Sequence, residues 1–361
     1  MKLRRIFALS PDCHVPGSRY GLVWRNHFYD GLRDSGLEVI FPTGLNFSWA
    51  RPAHSAAAEI TAEGRSTSRA LAGQIERAIE TGIDAVISYC FSHDIELELV
   101  DRVRAAGVPW INFFCDSAYA FHTVEAIARR TSLNWFVETA AEDNYRALGV
   151  PYLCAPYAVN PRALPDASCQ TPDRTLSFVG TANKPRIKAV ALLRLMGTDV
   201  HVAGRNWPRA LACQSSAGSG ARRSIKRALR FAVGTTMRGH VREHLHDDEF
   251  LEYLRGTQIL LGLNEGGLGK GPYVSYLKLR DIEFPGHGCC YLAQHNDDIE
   301  RSFEVGREVC TYGTLWEARR LARKLARDPD GCRRMGERAR ERVLAEHTWR
   351  ARLPQLMDAL D

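Results

Sequence analysis

The chain has 361 residues, of which 45% are hydrophobic and 25% are charged, and its formal net charge is +6 at pH 7. These are ordinary values for a globular protein with a large core, and the length favours two domains because single cores rarely exceed roughly 250–300 residues. The mild positive charge permits anionic ligands, anionic lipid or nucleic acid, and it selects none of them.

The ten cysteines contain no C-x-x-C pair, and several lie within apolar runs where reduced thiols act as small hydrophobic groups. A zinc site is therefore not expected. The apolar run before Ser10 is too short for the core of a signal peptide, and no run approaches the roughly 18 apolar residues of a membrane span. We therefore expect a reduced, cytoplasmic protein.

Short apolar runs alternate with helical patterns along the first half. Strands are predicted at "RRIFALS", "LEVIFP", "DAVISYC", "VPWINFFCD" and "LNWFVET", and helices at 20–35, 67–81 and 95–106. Strands that alternate with helices predict a parallel sheet covered on both faces.

The composition shifts to Pro, Ser, Asp and Thr across 155–175, which is typical of a linker, and the alternation then restarts. Strands are predicted at "TLSFVGTA", "DVHVAGR", "QILLGLN", "GCCYLAQH" and "REVCTYG". We predict an α/β protein of two doubly wound, Rossmann-like domains that face each other across a cleft. The predicted domains are 1–160 and 175–340, with a linker at 161–174 and a C-terminal helix at 341–361 that could cross back to the first domain.

Glycines and cations follow two predicted strands of the second half. "SFVGTANKPR" places Gly180 and Thr181 at a strand end and Arg186 on the next helix, and "HVAGRNWP" ends a strand at Gly204 and Arg205. Ligands of open α/β sheets bind at the carboxyl ends of strands, and helix N-termini and guanidinium groups hold phosphates. These residues predict a diphosphate site, and the alternative is two ordinary turns with surface arginines.

The stretch "KLRDIEFPGHGCCYLAQHN" predicts a charged helix that stops at Pro285 and Gly286 and is followed by a buried strand. Lys278 and Arg280 can offset phosphate charge, Glu283 can accept both hydroxyls of a ribose, and Gly286 allows a close backbone approach to a ligand. The alternative is a helix with solvated charges whose glycines only cap it.

The C-terminal half resembles that of GT-B glycosyltransferases, especially the CgeB-like branch. The resemblance lies in an ordered series of residues across several predicted elements: Arg280, Glu283, Gly288, Phe303, Gly306, Glu308, His347 and Thr348. It implies a nucleotide-sugar donor, with Glu283 as the ribose ligand and the Gly180 turn at the diphosphate. Many retaining members carry a second glutamate where this chain has Ser275, and Glu265 could replace it.

The N-terminal half resembles this family in architecture alone. Asp116 ends the apolar strand "VPWINFFCD", where a carboxylate could take the proton of an acceptor hydroxyl or, alternatively, cap the next helix. His93 and Asp94 follow another strand end. His14 could serve as a base or contact the acceptor, although a lone loop histidine more often does neither.

The resemblance implies a metal-independent, hexosyltransferase-like enzyme that needs no cofactor besides its nucleotide-diphosphate-sugar co-substrate. The alternatives are a sugar-nucleotide epimerase or hydrolase and a non-catalytic nucleotide-sugar-binding module. The segment 221–245 is basic and partly amphipathic, so it predicts either peripheral contact with an anionic membrane or a solvated insertion. No nucleic-acid partner is expected, because no nucleic-acid-binding motif accompanies the charge.

Overall fold

The computed structural model describes residues 3–10, 21–44, 62–207, 240–242, 245, 247–266 and 274–361. The chain groups into two compact units. Unit 1 consists of Met1–Leu164, Gly266–Leu277 and Leu344–Asp361, and unit 2 consists of Pro165–Glu265 and Lys278–Val343. Each unit contains a parallel six-stranded sheet, which confirms the predicted α/β class.

The sheet of unit 1 has the order β2-β1-β3-β4-β5-β6, and all its neighbouring strands are parallel. The strands are β1 (Arg5–Leu9), β2 (Glu38–Ile40), β3 (Ala85–Ser88), β4 (Trp110–Phe114), β5 (Leu133–Phe136) and β6 (Tyr152–Cys154). Every residue of β3, β4 and β5 is buried, as expected for apolar runs covered on both faces.

Helices connect these strands. They are α1 (Gly21–Trp24), α2 (Asp30–Asp34), α3 (Ala62–Glu80), α4 (Leu97–Ala105), α5 (Ser117–Ala120), α6 (Glu125–Ala128) and α7 (Glu142–Leu148). A π-helical turn, Arg25–Tyr29, joins α1 to α2, so the helix predicted at 20–35 is helical but not uniformly α.

The sheet of unit 2 has the order β14-β13-β10-β7-β8-β9 and is likewise parallel. Its strands are β7 (Arg174–Val179), β8 (His201–Ala203), β9 (Val241–Arg242), β10 (Thr257–Leu261), β13 (Tyr291–Gln294) and β14 (Cys310–Tyr312). The chain passes outward from β7 to β9 and then returns to the other side of β7 at β10. The switch point of this doubly wound sheet therefore lies between β7 and β10.

The helices of unit 2 are α8 (Lys184–Leu195), α9 (Asp247–Arg255), α10 (Leu279–Gly286), α11 (Asp297–Ser302), α12 (Leu315–Leu325) and α13 (Pro329–Glu346). A separate two-stranded sheet pairs β11 (Glu265–Gly266) with β12 (Val274–Ser275). The end of α10 at Gly286 agrees with the sequence prediction.

The last helix, α14 (Trp349–Asp358), packs within unit 1. Thr348 caps it by accepting a hydrogen bond from the backbone N–H of Ala351. The buried indole of Trp349 donates to the carbonyl of His27 at 2.5 Å and lies against the Phe28 ring. Glycine is required at position 31, because a Cβ there would lie 2.5 Å from the indole Cδ1.

Candidate functional site

Two glycines meet at the carboxyl ends of neighbouring strands in unit 2. Gly180 follows β7 with φ = +153°, and Gly204 follows β8 with φ = +132°; L-residues with a side chain rarely adopt these angles. A Cβ on Gly204 would collide with the carbonyl of Gly180. The Trp207 indole also donates to that carbonyl at 2.8 Å. The two turns therefore pack closely against each other, and this close packing requires glycine at position 204.

Arg280 brings a cation to the Gly180 turn. Its guanidinium lies 5.4 Å from the centroid of the Phe178 ring, and Nη1 donates to the carbonyl of Val179 at 3.2 Å. A Cβ on Gly180 would lie 2.6 Å from the same Nη1, so the glycine leaves the space that the guanidinium occupies. The structure thus places the predicted diphosphate ligands Gly180 and Arg280 side by side.

Arg186 is held differently from Arg280. It is buried, its Nε donates to the carbonyl of Leu263 at 3.2 Å, and its Nη1 donates to the carbonyl of Thr181 at 2.9 Å. These two carbonyls follow β10 and β7, so one guanidinium ties together the loops on either side of the switch point. This geometry suits a positioning role for Arg186, and contact with a diphosphate stays a prediction.

A buried carboxylate fixes the start of α10. Asp281 is fully buried, so the alternative in which it is solvated is wrong. It accepts hydrogen bonds from Asn264 Nδ2, the backbone N–H of Lys278 and the hydroxyl of Tyr291. Burial raises the pKa of Asp281, and the hydrogen bond from Tyr291 opposes that rise. The network anchors α10 to β10 and β13, and so holds Arg280 in place.

The partly exposed charges of α10 share one face. Arg280 and Glu283 are three residues apart, which places them on the same side of the helix, whereas Ile282 and Phe284 are buried. Lys278 immediately precedes the helix and is also partly exposed. One bound nucleotide could therefore reach both Glu283 and Arg280, as the predicted ribose and diphosphate site requires. Their contacts with a ligand stay predictions.

The glycines after α10 serve the protein backbone. The carbonyl of Gly286 accepts a hydrogen bond from Arg340 on α13, and Gly288 adopts φ = +80°. A Cβ on Gly336 of α13 would collide with the carbonyl of Gly288. Close packing of α13 accounts for Gly288, and a direct ligand contact of Gly286 stays a prediction.

Asp116 lies beyond the carboxyl end of β4 in unit 1. It precedes α5, but its side chain makes no capping hydrogen bond, so the alternative role as a helix cap is wrong. One carboxylate oxygen instead accepts a hydrogen bond of 2.7 Å from the Tyr276 hydroxyl. Burial raises the pKa of the neighbouring Tyr119 well above its ordinary value, and Asp116 adds to that rise. Asp116 is thus a partly exposed carboxylate beside the phenol groups of Tyr276 and Tyr119, and it is chemically able to accept a proton.

The other carboxylate predicted past a strand end in unit 1 has a local role. Asp94 accepts a hydrogen bond from the backbone N–H of Phe91 at 2.8 Å, and the imidazole of His93 stacks on the Phe91 ring. Asp94 therefore shapes the turn after β3.

Several of the predicted functional residues lie outside the described part of the structure. His14 and residues 221–239 lie outside the described residues. Glu265 begins β11, but its side chain is also outside the described part of the structure. Their roles stay predictions.

Asn264, the buried residue that holds Asp281, was not predicted from the sequence. The Oδ1 atom of Asn264 is buried and has no hydrogen-bond partner among the described residues. Asn264 follows β10 at the switch point, so the rule that selected Asp116, a polar residue directly after an apolar strand, would also have selected Asn264.

Residues 186–358 match the family model described as "Glycosyl transferase-like". The match includes α10 and its Asp281 network, and its first residue is Arg186. No protein with a curated description matches the sequence.

The whole chain is similar in structure to several solved proteins. Sucrose-phosphate synthase from Thermosynechococcus elongatus is 12% identical with a TM-score of 0.60, and the alignment covers 99% of both chains. HepE from Anabaena, solved with UDP, is 10% identical with a TM-score of 0.55, covering 99% of this chain and 100% of the other. AviGT4, a glycosyltransferase involved in avilamycin A biosynthesis, is 15% identical with a TM-score of 0.57 and coverages of 99% and 97%.

The chain has the GT-B fold, and its residues 186–358 match a glycosyl transferase-like family. The predicted fold is confirmed, as is the predicted resemblance of the C-terminal half to glycosyltransferases. Within the described residues of this GT-B protein, no helix has the length and apolar character to span a membrane.

Proposed function

We propose that this GT-B protein transfers a hexose from a nucleotide-diphosphate sugar to an acceptor hydroxyl. The observation that carries the proposal is the Arg280 guanidinium beside the bare Gly180 turn, at the switch point of the unit 2 sheet. A cation at the carboxyl ends of these strands, next to the switch point, suits a diphosphate. We also propose that the enzyme belongs to the CgeB-like branch and acts in the cytoplasm.

The donor's diphosphate would contact the turns after β7 and β8 and the Arg280 side chain. Arg205 follows Gly204 at the same edge, and burial lowers the pKa of its guanidinium. Glu283, on the Arg280 face of α10, would accept the ribose hydroxyls. HepE was solved with UDP and with UDP-glucose, which supports testing UDP sugars first.

The reaction breaks the bond between the sugar's anomeric carbon and the diphosphate and forms one to the acceptor oxygen. Arg280, Arg205 and the helix dipole at the start of α8 would stabilise the charge on the departing nucleotide diphosphate. We therefore propose that transfer continues when divalent metal ions are chelated.

Asp116 is proposed to take the proton that the acceptor hydroxyl loses. Its hydrogen bond from Tyr276 fixes the orientation of the carboxylate, and its side chain makes no capping hydrogen bond at the start of α5. A general base at this step contributes typically 10²–10⁴-fold to the rate.

The test compares Asp116→Asn with Asp94→Asn. The donor is first identified by thermal shift with UDP, GDP and dTDP sugars. The rate at which each protein turns over that donor is then measured with and without candidate acceptors. Asp116→Asn should lower turnover at least about tenfold with near-normal donor binding, because asparagine can accept the Tyr276 bond but not the proton. Asp94→Asn should retain turnover. Full activity of folded Asp116→Asn would remove this residue from the mechanism.

Residues 221–245 are proposed to contact an anionic membrane surface. Sedimentation with anionic liposomes at low salt and near 1 M salt tests this, because the Debye length falls to about 3 Å at 1 M. Loss of binding at high salt is expected, and no binding at low salt would leave the segment as a solvated insertion.

A further inference from the structure

Two histidines face one aspartate at the amino-terminal edge of the unit 2 sheet. His201 begins β8 and His240 immediately precedes β9. The register pairs Val202 with Val241, so the two histidines are cross-strand neighbours, and the backbone N–H of Val202 donates to the His240 carbonyl at 2.8 Å. Asp199 lies two residues before His201 and completes the group.

The distances within this group suit a bound metal ion. His201 Nε2 lies 3.3 Å from Asp199 Oδ2, and His240 Nδ1 lies 3.7 Å from Asp199 Oδ1. Tetrahedral coordination with bonds of about 2.1 Å places ligand atoms about 3.4 Å apart. All three side chains offer ligand atoms within 4.8 Å of one another, so one small ion could contact them together.

His240 provides a second observation that points to a ligand. Its Nδ1 atom is buried, is directed toward Asp199 and has no hydrogen-bond partner among the described residues. The separation of 3.7 Å is too long for a hydrogen bond and leaves the imidazole nitrogen unsatisfied. A metal ion between the nitrogen and the carboxylate would satisfy both.

The surroundings restrict which ion fits. Arg194 donates to Asp199 Oδ1 at 2.8 Å, which orients the carboxylate but also places a positive charge beside the group. Calcium and magnesium prefer sites made of oxygen ligands, whereas zinc and similar ions bind imidazole well.

We propose that Asp199, His201 and His240 bind a divalent transition-metal ion such as Zn²⁺. Three protein ligands leave a coordination position for water. The ion joins the amino ends of β8 and β9, whereas Gly204 lies beyond the carboxyl end of β8. The site therefore stabilises the edge of the sheet and stands apart from the chemistry proposed for the donor.

The experiment uses the full chain without a histidine tag, after removal of metal by a chelator. Calorimetric titration with ZnCl₂ should show one equivalent bound, and zinc should raise the melting temperature. His201→Ala and His240→Ala should each weaken binding at least about tenfold, the lower end of what even outer-shell substitutions cost. The matched control is His295→Ala, since His295 faces a single carboxylate, that of Glu300, at 3.5 Å. The control should bind zinc like the wild type.

Two results would overturn the proposal: no zinc uptake by the folded wild type, or uptake that both alanine variants retain. Circular dichroism checks that the variants fold, and His240→Gln replaces His240→Ala if the alanine variant does not. Co²⁺ serves as a second probe, because its spectrum separates thiolate from imidazole ligands. A thiolate spectrum would assign the metal to the cysteines and also overturn the proposal.

Discussion

Removing the Arg280 guanidinium should weaken donor binding strongly. Within the described residues, Arg280 donates one hydrogen bond to the protein, from Nη1 to the Val179 carbonyl. A guanidinium carries five N–H donors, so several remain for a diphosphate. Hydrogen bonds to charged groups contribute about 1.5–3 kcal/mol, and about 1.4 kcal/mol corresponds to a tenfold change in affinity. Arg280→Ala should therefore lower affinity for the nucleoside diphosphate about ten- to 150-fold.

The assay is calorimetric titration with UDP, GDP and dTDP, with the melting temperature recorded for each protein. Arg280→Lys should fall between wild type and alanine, because lysine keeps the charge but cannot bind in a bidentate manner. Arg320→Ala is the matched control, since Arg320 is an exposed arginine of unit 2 that pairs with Glu317 on the surface. Equal affinity of folded Arg280→Ala and wild type would refute the assignment of Arg280 to the diphosphate.

Three further substitutions test the structural basis of the site and the packing of α14. Gly204→Ala should lower the free energy of unfolding by about 1–3 kcal/mol and also weaken donor binding, because its Cβ would collide with the turn at Gly180. The control is Gly197→Ala, at φ = +75° with no backbone atom within 4 Å of its Cβ. This variant should leave donor binding unchanged. The raised pKa of Asp281 means that the folded protein holds this proton more tightly than the unfolded chain, so its contribution to stability falls as pH rises from about 3.9 through the raised pKa. Urea unfolding across that range should show the stability difference between wild type and Asp281→Asn shrinking with pH, and a growing difference would contradict this. Gly31→Ala should lower the free energy of unfolding by about 1–3 kcal/mol, because its Cβ would press against the Trp349 indole of α14. Gly73→Ala in α3 should be neutral or stabilising in the same urea unfolding assay.

The fold could be predicted well because its strands are apolar runs with clear boundaries. The runs "WINFF" and "TQILL" are entirely buried in β4 and β10, and burial on both faces of a parallel sheet requires such runs. Short elements such as β6, with three partly exposed residues, were missed because so short a segment carries little periodicity.

The candidate site was predictable where glycines or charges follow a strand. Gly180 and Gly204 share one edge because neighbouring parallel strands end together, and that rule works from sequence. Arg280 reaches the same edge from α10. The role of Asp281 was not predictable, because its partner Asn264 lies in the loop after β10 and its partner Tyr291 lies on β13. The sequence alone does not show that α10 turns this carboxylate inward. Likewise, His201 and His240 become neighbours through the pairing of β8 with β9.

The most direct test of the central claim is release of nucleotide diphosphate from intact nucleotide sugars by the purified chain, with a chelator present. We expect one nucleotide class to be bound and turned over, and an acceptor hydroxyl to accelerate release. Arg280→Ala should lose this activity, whereas Arg320→Ala should keep it. Absence of both binding and release with UDP, GDP and dTDP sugars, in a chain shown to be folded, would contradict the claim that this protein is a nucleotide-sugar-dependent glycosyltransferase.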